Sequence, residues 1–403
     1  MVDVIVAGHL CVDLIPDISE RAATSESFLV PGRLTEVGAL TLATGGCVSN
    51  TGLAFHRLGM DVRLVARIGA DAIGSLTRDL LCMHGEQLVE HLSVISGETS
   101  SYTLVINPPD TDRSFLHCPG TNNTFGPEDI PHQLLTQARL FHLGYPPLMR
   151  RMYEENGKEL LRIFRRAKHQ DLTTSLDMAM PDPSQPSGKA DWQSILEQVL
   201  PFVDIFMPSV EELLYMLRRK DYDKLSHAKP PLIEALTPDL ICALAEDTLA
   251  LGARMVALKL GHRGLYLRTA PSLSHIGKGR PIDVETWEGR ELWSPCFRVH
   301  VIGTTGAGDA TIAGFLTGLL LGQDAEAAMT SAVAVGACNV EQADATSGLR
   351  SWKETQARIR AGWSRRDAQI SGDDWSWDER RGIWHGPHDR SPISLHYRRT
   401  EGT

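Results

Sequence analysis

At 403 residues with 42% hydrophobic content, the chain is long enough for one large α/β domain with an appendage and apolar enough to bury a core. Its 40 Lys and Arg against 50 Asp and Glu leave a net charge of −10, which excludes general nucleic-acid or anionic-membrane binding, because neither polyanion attracts an acidic surface. Seven scattered cysteines with no Cys-x-x-Cys pair point to reduced thiols in a cytoplasmic protein, and no apolar run reaches the ~20 residues of a membrane span.

The N-terminus, Met-Val-Asp-Val-Ile-Val, lacks the basic-then-apolar order of a signal peptide. Val2 to Ala7 reads as a buried strand ended by Gly8, and Asp13 falls just past it, where open α/β sheets bind ligands. Residues 28 to 44, broken by Pro31 and Gly38, predict short strands with turns. Gly45-Gly46-Cys47-Val48-Ser49-Asn50 then opens a helix through Leu53, Ala54, Phe55 and Leu58, stopped by Gly59. Two glycines allow close backbone approach by a ligand, and Asn50 offers a donor and an acceptor to a hydroxyl. Residues 98 to 118 read as a hairpin, two β-prone runs around Pro-Pro-Asp-Thr-Asp-Arg.

From 126 to 260 helices and strands alternate in a doubly wound manner. Leu140–Leu143 and Thr174–Asp177 are predicted strands, Leu160 to Lys168 ends an amphipathic helix with a basic solvated face, and Pro181 to Gly188 is a loop. Strand 203–207 is followed by Ser209 as an N-cap, with Glu212 placed for a capping box. A long helical region about 232–252 precedes a buried strand at Met255–Leu260, after which 268–296 reads as an irregular excursion.

Residues 301 to 322, Val-Ile-Gly-Thr-Thr-Gly-Ala-Gly-Asp followed by an apolar helical run, carry the chemistry. Glycines at 303, 306 and 308 let the amides around Gly306, Ala307 and Gly308 converge on an anion, and the next helix adds the positive end of its dipole. Asp309 stands at the mouth of that hole. A carboxylate there repels a phosphoryl group unless it serves to take a proton from a hydroxyl attacking phosphorus; a first-turn helix acid with no role in chemistry is the competing explanation.

Gly-Thr-Thr-Gly-Ala-Gly-Asp resembles the C-terminal signature of the ribokinase family, the PfkB carbohydrate kinases, and the 45–74 stretch, with Gly45, Gly46, Asn50, Gly69, Asp71 and Gly74, resembles its N-terminal signature. The two lie about 250 residues apart in the family's order. The resemblance implies a three-layer, doubly wound, mostly parallel sheet with a small β-sheet lid, the lid strands coming from about 10–44 and 98–120. It makes Asp309 the catalytic base and the amides of Gly306, Ala307 and Gly308 the anion hole. It puts Asp13, Gly45, Gly46, Asn50 and Asn122 at the sugar, and Lys259, Gly261, Gly264, Thr304 and Glu212 on the nucleotide side, with Glu212 linked through water to Mg²⁺. Cys11 and Ser209 replace two family asparagines, and Gly303 in place of a leading acid puts the family's monovalent cation in doubt. Met178 to Pro183 lacks the Arg of sugar-acid kinases. Residues 329 to 337 would form a helix beside adenine, and the resemblance admits a homodimer through the lid.

The expected domain is 1–350. The 351–403 extension lies outside the resemblance and holds five of the eight tryptophans, too many for pure disorder, so it is expected to pack on its own subunit or a partner. The expectation is therefore a cytoplasmic, ATP- and Mg²⁺-dependent kinase for a carbohydrate or related polyol. The same machinery in a nucleoside kinase, or a non-catalytic sugar or nucleotide sensor, are the alternatives. A Rossmann dehydrogenase and a Walker-type NTPase are disfavoured, since neither glycine pattern is present where it should be.

Overall fold

The computed structural model describes residues 1–18, 31–32, 34–107, 114–227, 229–367, 370 and 374–390. The strands run β1 (Val2–Gly8), β2 (Cys11–Pro16), β3 (Leu40–Gly45), β4 (Val62–Gly69) and β5 (Leu92–Ile95), then β6 (Tyr102–Ile106), β7 (Ser114–Cys118), β8 (Ala138–Gly144) and β9 (Thr173–Leu176). There follow β10 (Ile205–Phe206), β11 (Met255–Lys259), β12 (Leu265–Thr269), β13 (Glu291–Ser294), β14 (Ser376–Asp378) and β15 (Ile383–His385). An eleven-stranded sheet has the order β14-β15-β13-β12-β11-β10-β9-β8-β1-β4-β5, and a four-stranded sheet has the order β3-β2-β6-β7. From β5 to β11 every pairing in the large sheet is parallel, and from β11 to β14 every one is antiparallel.

Alternation along β1 explains the three layers. Val4 and Val6 point into one apolar core, shared with Leu53 and Phe55 of helix Cys47–Arg57 and with Ile312 and Phe315 of helix Ala307–Leu320. Ile5 and Ala7 point into the other, against Ile163 and Phe164 of helix Lys158–His169 and Leu213 and Leu214 of helix Val210–Leu217. A strand apolar on both faces needs a helical layer on each, and a continuous run such as VDVIVAG signals that burial.

Several local expectations are corrected. Among the described residues of 28–44 only β3 is a strand, because the chain around Gly38 makes two backbone bonds with Asp17 instead of a ladder; residues 28–30 and 33 lie outside the described residues, as do 108–113 between β6 and β7. The stretch 268–296 is not wholly irregular: β13 pairs antiparallel with β12, Arg268 opposite Glu291. The loop 181–188 runs into a short helix, Pro186–Lys189. The 232–252 region divides into Leu232–Ala235 and Pro238–Ala250, where the Thr237 hydroxyl caps the second helix.

The extension is joined to the sheet. Helix Trp352–Arg360 opens with a Ser351–Glu354 capping box, and β15 pairs with β13, Leu292 opposite His385 and Trp293 opposite Trp384. Behind that pairing the buried Arg290 guanidinium contacts Asp389 at 2.7 Å and also Glu326. His385 Nδ1 is 2.7 Å from Asp389 Oδ2. Residues 391–403 lie outside the described residues. Among the described residues no helix is long and apolar enough to cross a membrane.

Candidate active site

The C-terminal ends of β1, β8, β9, β10 and β11 face the N-terminus of helix Ala307–Leu320, the crevice where open parallel sheets bind ligands. Gly306 caps that helix in the left-handed region (φ 72°), and a Cβ there would lie 2.7 Å from the Ala345 side chain, so the turn admits no other residue without strain. Of the expected anion-hole amides, that of Ala307 donates to the Thr304 carbonyl at 3.3 Å, and Asp309 sits in the first turn of the helix, 3% exposed.

Three side chains fix the Asp309 carboxylate. The Thr51 hydroxyl donates to Oδ1 at 2.8 Å, while the Tyr145 hydroxyl at 2.7 Å and the Asn50 amide at 3.2 Å donate to Oδ2. Asn50 and Thr51 are consecutive on helix Cys47–Arg57, and Tyr145 immediately follows β8. Tyr145 holds φ 63°, a left-handed conformation costing about 1 kcal/mol or more for a residue with a side chain, and it turns the phenol onto Asp309. Burial and the nearby Asp309 and Asp177 push that phenol well above its ordinary value, so it stays a donor. Asn50 Oδ1 is buried with no partner.

Beside Asp309, Lys259 at the end of β11 reaches Asp177, just past β9, at 2.5 Å. The Lys259 side chain is therefore turned inward, 14% exposed. Burial pushes the Asp177 carboxyl up, opposed by Lys259 and reinforced by Glu212 and Asp309. Burial works against the Lys259 ammonium, yet Asp177 and Glu212 hold it above its usual range. Asp177 Oδ2 has no partner. Glu212 forms the expected capping box, its Oε2 accepting from the Ser209 amide at 2.7 Å and its own amide donating to Ser209 Oγ at 3.2 Å.

These groups line one cleft of ≈ 570 Å³, with Thr304, Gly306, Ala307, Gly308, Gly261 and Gly264. Its far wall is apolar, Val333, Gly336, Ala337 and Val340 on one side and Phe297, Val299 and Val301 on the other. At position 303 a Cβ would lie 2.7 Å from the Ala343 carbonyl oxygen, which leaves no room for an acid.

The remaining expected residues gather where the lid meets the body. Asp13 lies on β2 opposite β3, and a Cβ on Gly45 would stand 2.5 Å from Asp13 Oδ2. Gly46 (φ 86°) has the His9 ring in the same relation, so both glycines are required by close approach. Burial raises the Asp13 carboxyl, and the Cys11 thiol donates to it at 3.5 Å. Asp13 and Gly45 do not line the large cleft; Asn50, one turn after Gly46, connects the two groups by bonding Asp309. Asn122 is fully buried, and its amide bridges the Leu10 N–H and C=O at 3.1 and 3.0 Å, so it holds the turn that leads into β2, the strand of Cys11 and Asp13, and does not face the crevice.

Sequence reasoning missed Thr51, Tyr145, His9 and His117. His9 Nε2 and His117 Nε2 lie 3.3 Å apart across the junction of body and lid, and His117 Nδ1 is 3.0 Å from the Thr103 hydroxyl. Burial, aided by His117, lowers His9 to about 3, so it is neutral. A histidine directly after β1 and a tyrosine directly after β8 were the available signals, since strand ends at the carboxyl edge supply functional side chains.

A family model for pfkB family carbohydrate kinases matches residues 1–352. A protein of Archaeoglobus fulgidus described as an uncharacterized sugar kinase is 27% identical over 298 residues, 74% of this chain and 98% of its own length. The ATP-dependent ribose-1-phosphate kinase of Halopiger xanaduensis is 25% identical over 353 residues, 86% of this chain and 95% of that protein. Among solved structures, Arabidopsis thaliana ribokinase complexed with ribose and ATP superposes with a TM-score of 0.67 at 18% identity, covering 89% of this chain and 99% of that one. Thermotoga maritima ribokinase gives 0.64 at 19% identity, over 89% and 100%. Both likenesses speak to the fold.

Proposed function

Because the chain belongs to the pfkB family of carbohydrate kinases, we propose that it moves the terminal phosphoryl group of ATP to a hydroxyl of a carbohydrate or related polyol, with Asp309 as general base. The observation that carries this is the Asp309 carboxylate itself, buried in the first turn of a helix, oriented by three donors, and adjoining the amides of Gly306, Ala307 and Gly308. A base must be aimed before it is useful, and an anion hole must be built before charge develops.

In this reading the acceptor lies between the lid junction and Asp309. Asp13, Asn50 through its free Oδ1, and the backbone at Gly45 and Gly46 meet its hydroxyls, while Asn122 positions the loop behind them. Asp309 takes the proton of the attacking hydroxyl, the oxygen forms its bond to phosphorus, and the bond to the nucleotide's bridging oxygen breaks. The amides of 306–308 hold the charge shifting onto the transferred group. Gly261, Gly264 and Thr304 line the nucleotide side, and Lys259 lies next to Gly308, where a Cβ would be 3.5 Å from its Nζ. The apolar wall of Val333, Ala337 and Val340 suits a purine base.

The carboxylates of Asp177, Glu211 and Glu212 on this cleft, with Asp177 Oδ2 unpartnered, form the hard-oxygen set that suits Mg²⁺ bound through water. Such an ion, when bound, neutralises phosphate charge.

The test is ADP formation against a panel of sugars, sugar phosphates and nucleosides, run with the natural chain and with Asp309→Asn. Turnover that needs one acceptor class and disappears in the variant supports the reading. A nucleoside as sole acceptor replaces the acceptor class, and turnover that survives the substitution removes the proposed base.

A further inference from the structure

We propose that the C-terminal extension, outside the span matched to the family, is part of the nucleotide site, with Arg366 binding the phosphate chain; this rests on the kinase reading above. The matched span ends at residue 352, and the cleft does not end with it. Residues 363–366 run antiparallel along 296–298, the segment that enters the anion loop. The Arg298 amide donates to the Ser364 carbonyl at 2.9 Å, the Arg366 amide to the Cys296 carbonyl at 2.7 Å, and Phe297 bridges Arg365.

Side chains fasten the same contact. Trp363 stacks on Phe297 with ring centroids 4.4 Å apart and planes 20° apart, and its indole N–H donates to the Arg298 carbonyl at 3.0 Å. The Arg365 guanidinium lies 4.5 Å from the Phe297 ring centroid and donates to the Pro295 carbonyl and the Ser294 and Thr330 hydroxyls. Phe297 is therefore held from outside by the extension while it lines the cleft from within.

Charge then singles out Arg366. The cleft carries four carboxylates, Asp177, Glu211, Glu212 and Asp309, against a nucleotide that is itself an anion. Lys259 is engaged by Asp177, and His262 is 2.7 Å from Glu234. Arg366 lines the same cleft beside Gly261 and His262, is exposed, and among the described residues its guanidinium has no hydrogen bond or ion pair. A permanent cation left uncommitted at the mouth of an acidic cleft is placed to meet phosphate oxygens, which guanidinium recognises in a fork.

Calorimetric titration with ADP separates the outcomes, using the full chain, Arg366→Ala and Arg366→Lys at low and high salt, with melting temperatures recorded alongside. Arg366→Ala should weaken ADP about five- to tenfold, Arg366→Lys should restore part of the loss, and the gap should narrow with salt, melting being unchanged. ADP binding by Arg366→Ala within twofold of the natural chain overturns the inference, as does a loss shared equally by both variants and indifferent to salt. A natural chain that does not bind ADP removes the nucleotide reading itself, and this inference with it.

Discussion

Where the eleven-stranded sheet buries both faces, with Val4 and Val6 against one helical layer and Ile5 and Ala7 against the other, the four-stranded sheet leaves much of itself uncovered, and Phe115 and Leu116 on β7 are each 58% exposed. The difference tells which groups are fixed and which adjust. Asp309, Thr51, Asn50 and Tyr145 hang from the first sheet and its helices, which cannot move without opening a core. His117 hangs from the second, anchored by little more than strand pairing, Thr103 and His9. The proposed base thus belongs to the rigid part, and the His9–His117 contact reaches it from the looser one.

The sharpest break of that comparison is Asp309→Asn, which keeps the shape of the side chain and removes the proposed base. Turnover should fall by about 10²–10⁴ with the circular-dichroism spectrum and melting unchanged, measured by coupled ADP release. Next in size is Asp389→Ala, which tests whether the extension counts as part of the rigid sheet. It takes one partner from the buried Arg290 and from His385, so stability in urea should drop by about 3 kcal/mol; a change under about 0.5 kcal/mol would make the extension a loose attachment.

The body should also be sensitive to acid. Burial, with Lys259 adding to it, lowers His142 to about 3 against an ordinary 6.5. A depressed folded value means the stabilisation is present above 6.5 and is lost as pH falls towards 3. His142→Gln should therefore lose less stability than the natural chain on going from neutral pH to about pH 4.5, by roughly 2 kcal/mol; parallel urea-melt curves for the two proteins would contradict this. The smallest effect belongs to the lid. His117→Ala should raise the acceptor KM about fivefold and leave the ATP KM and the melting temperature in place, as expected for one hydrogen-bonding group on an outlying strand. An equal rise in both constants would erase the distinction between the two sheets.

The part of this legible in the sequence was whatever is written in adjacent residues. Gly303 to Asp309 spells out a turn, a helix start and an acid within seven positions, and Val2 to Gly8 spells out a two-faced strand. The capping box at Ser209 and Glu212 is equally local. What stayed hidden depends on partners far along the chain. Thr51 sits beside the singled-out Asn50, but its bond to Asp309 spans 258 positions, and Tyr145 needs both the end of β8 and that helix to be in place. Asn122 was assigned to the ligand from its neighbours alone, whereas the Leu10 loop, 112 positions away, takes its amide. β13 reads as Glu-Leu-Trp-Ser within a polar stretch, and becomes a strand because β12 and β15 flank it.

That last pairing sets the order in which the molecule can be completed on the ribosome. Until the segment around His385 has been translated, the main-chain donors and acceptors along one side of β13 have no neighbour, and Arg290 waits for one of its two acids. A nascent polypeptide halted after the helix at 352–360 would thus present an open, aromatic-flanked edge to every other nascent copy nearby, the circumstance in which chains adhere to one another.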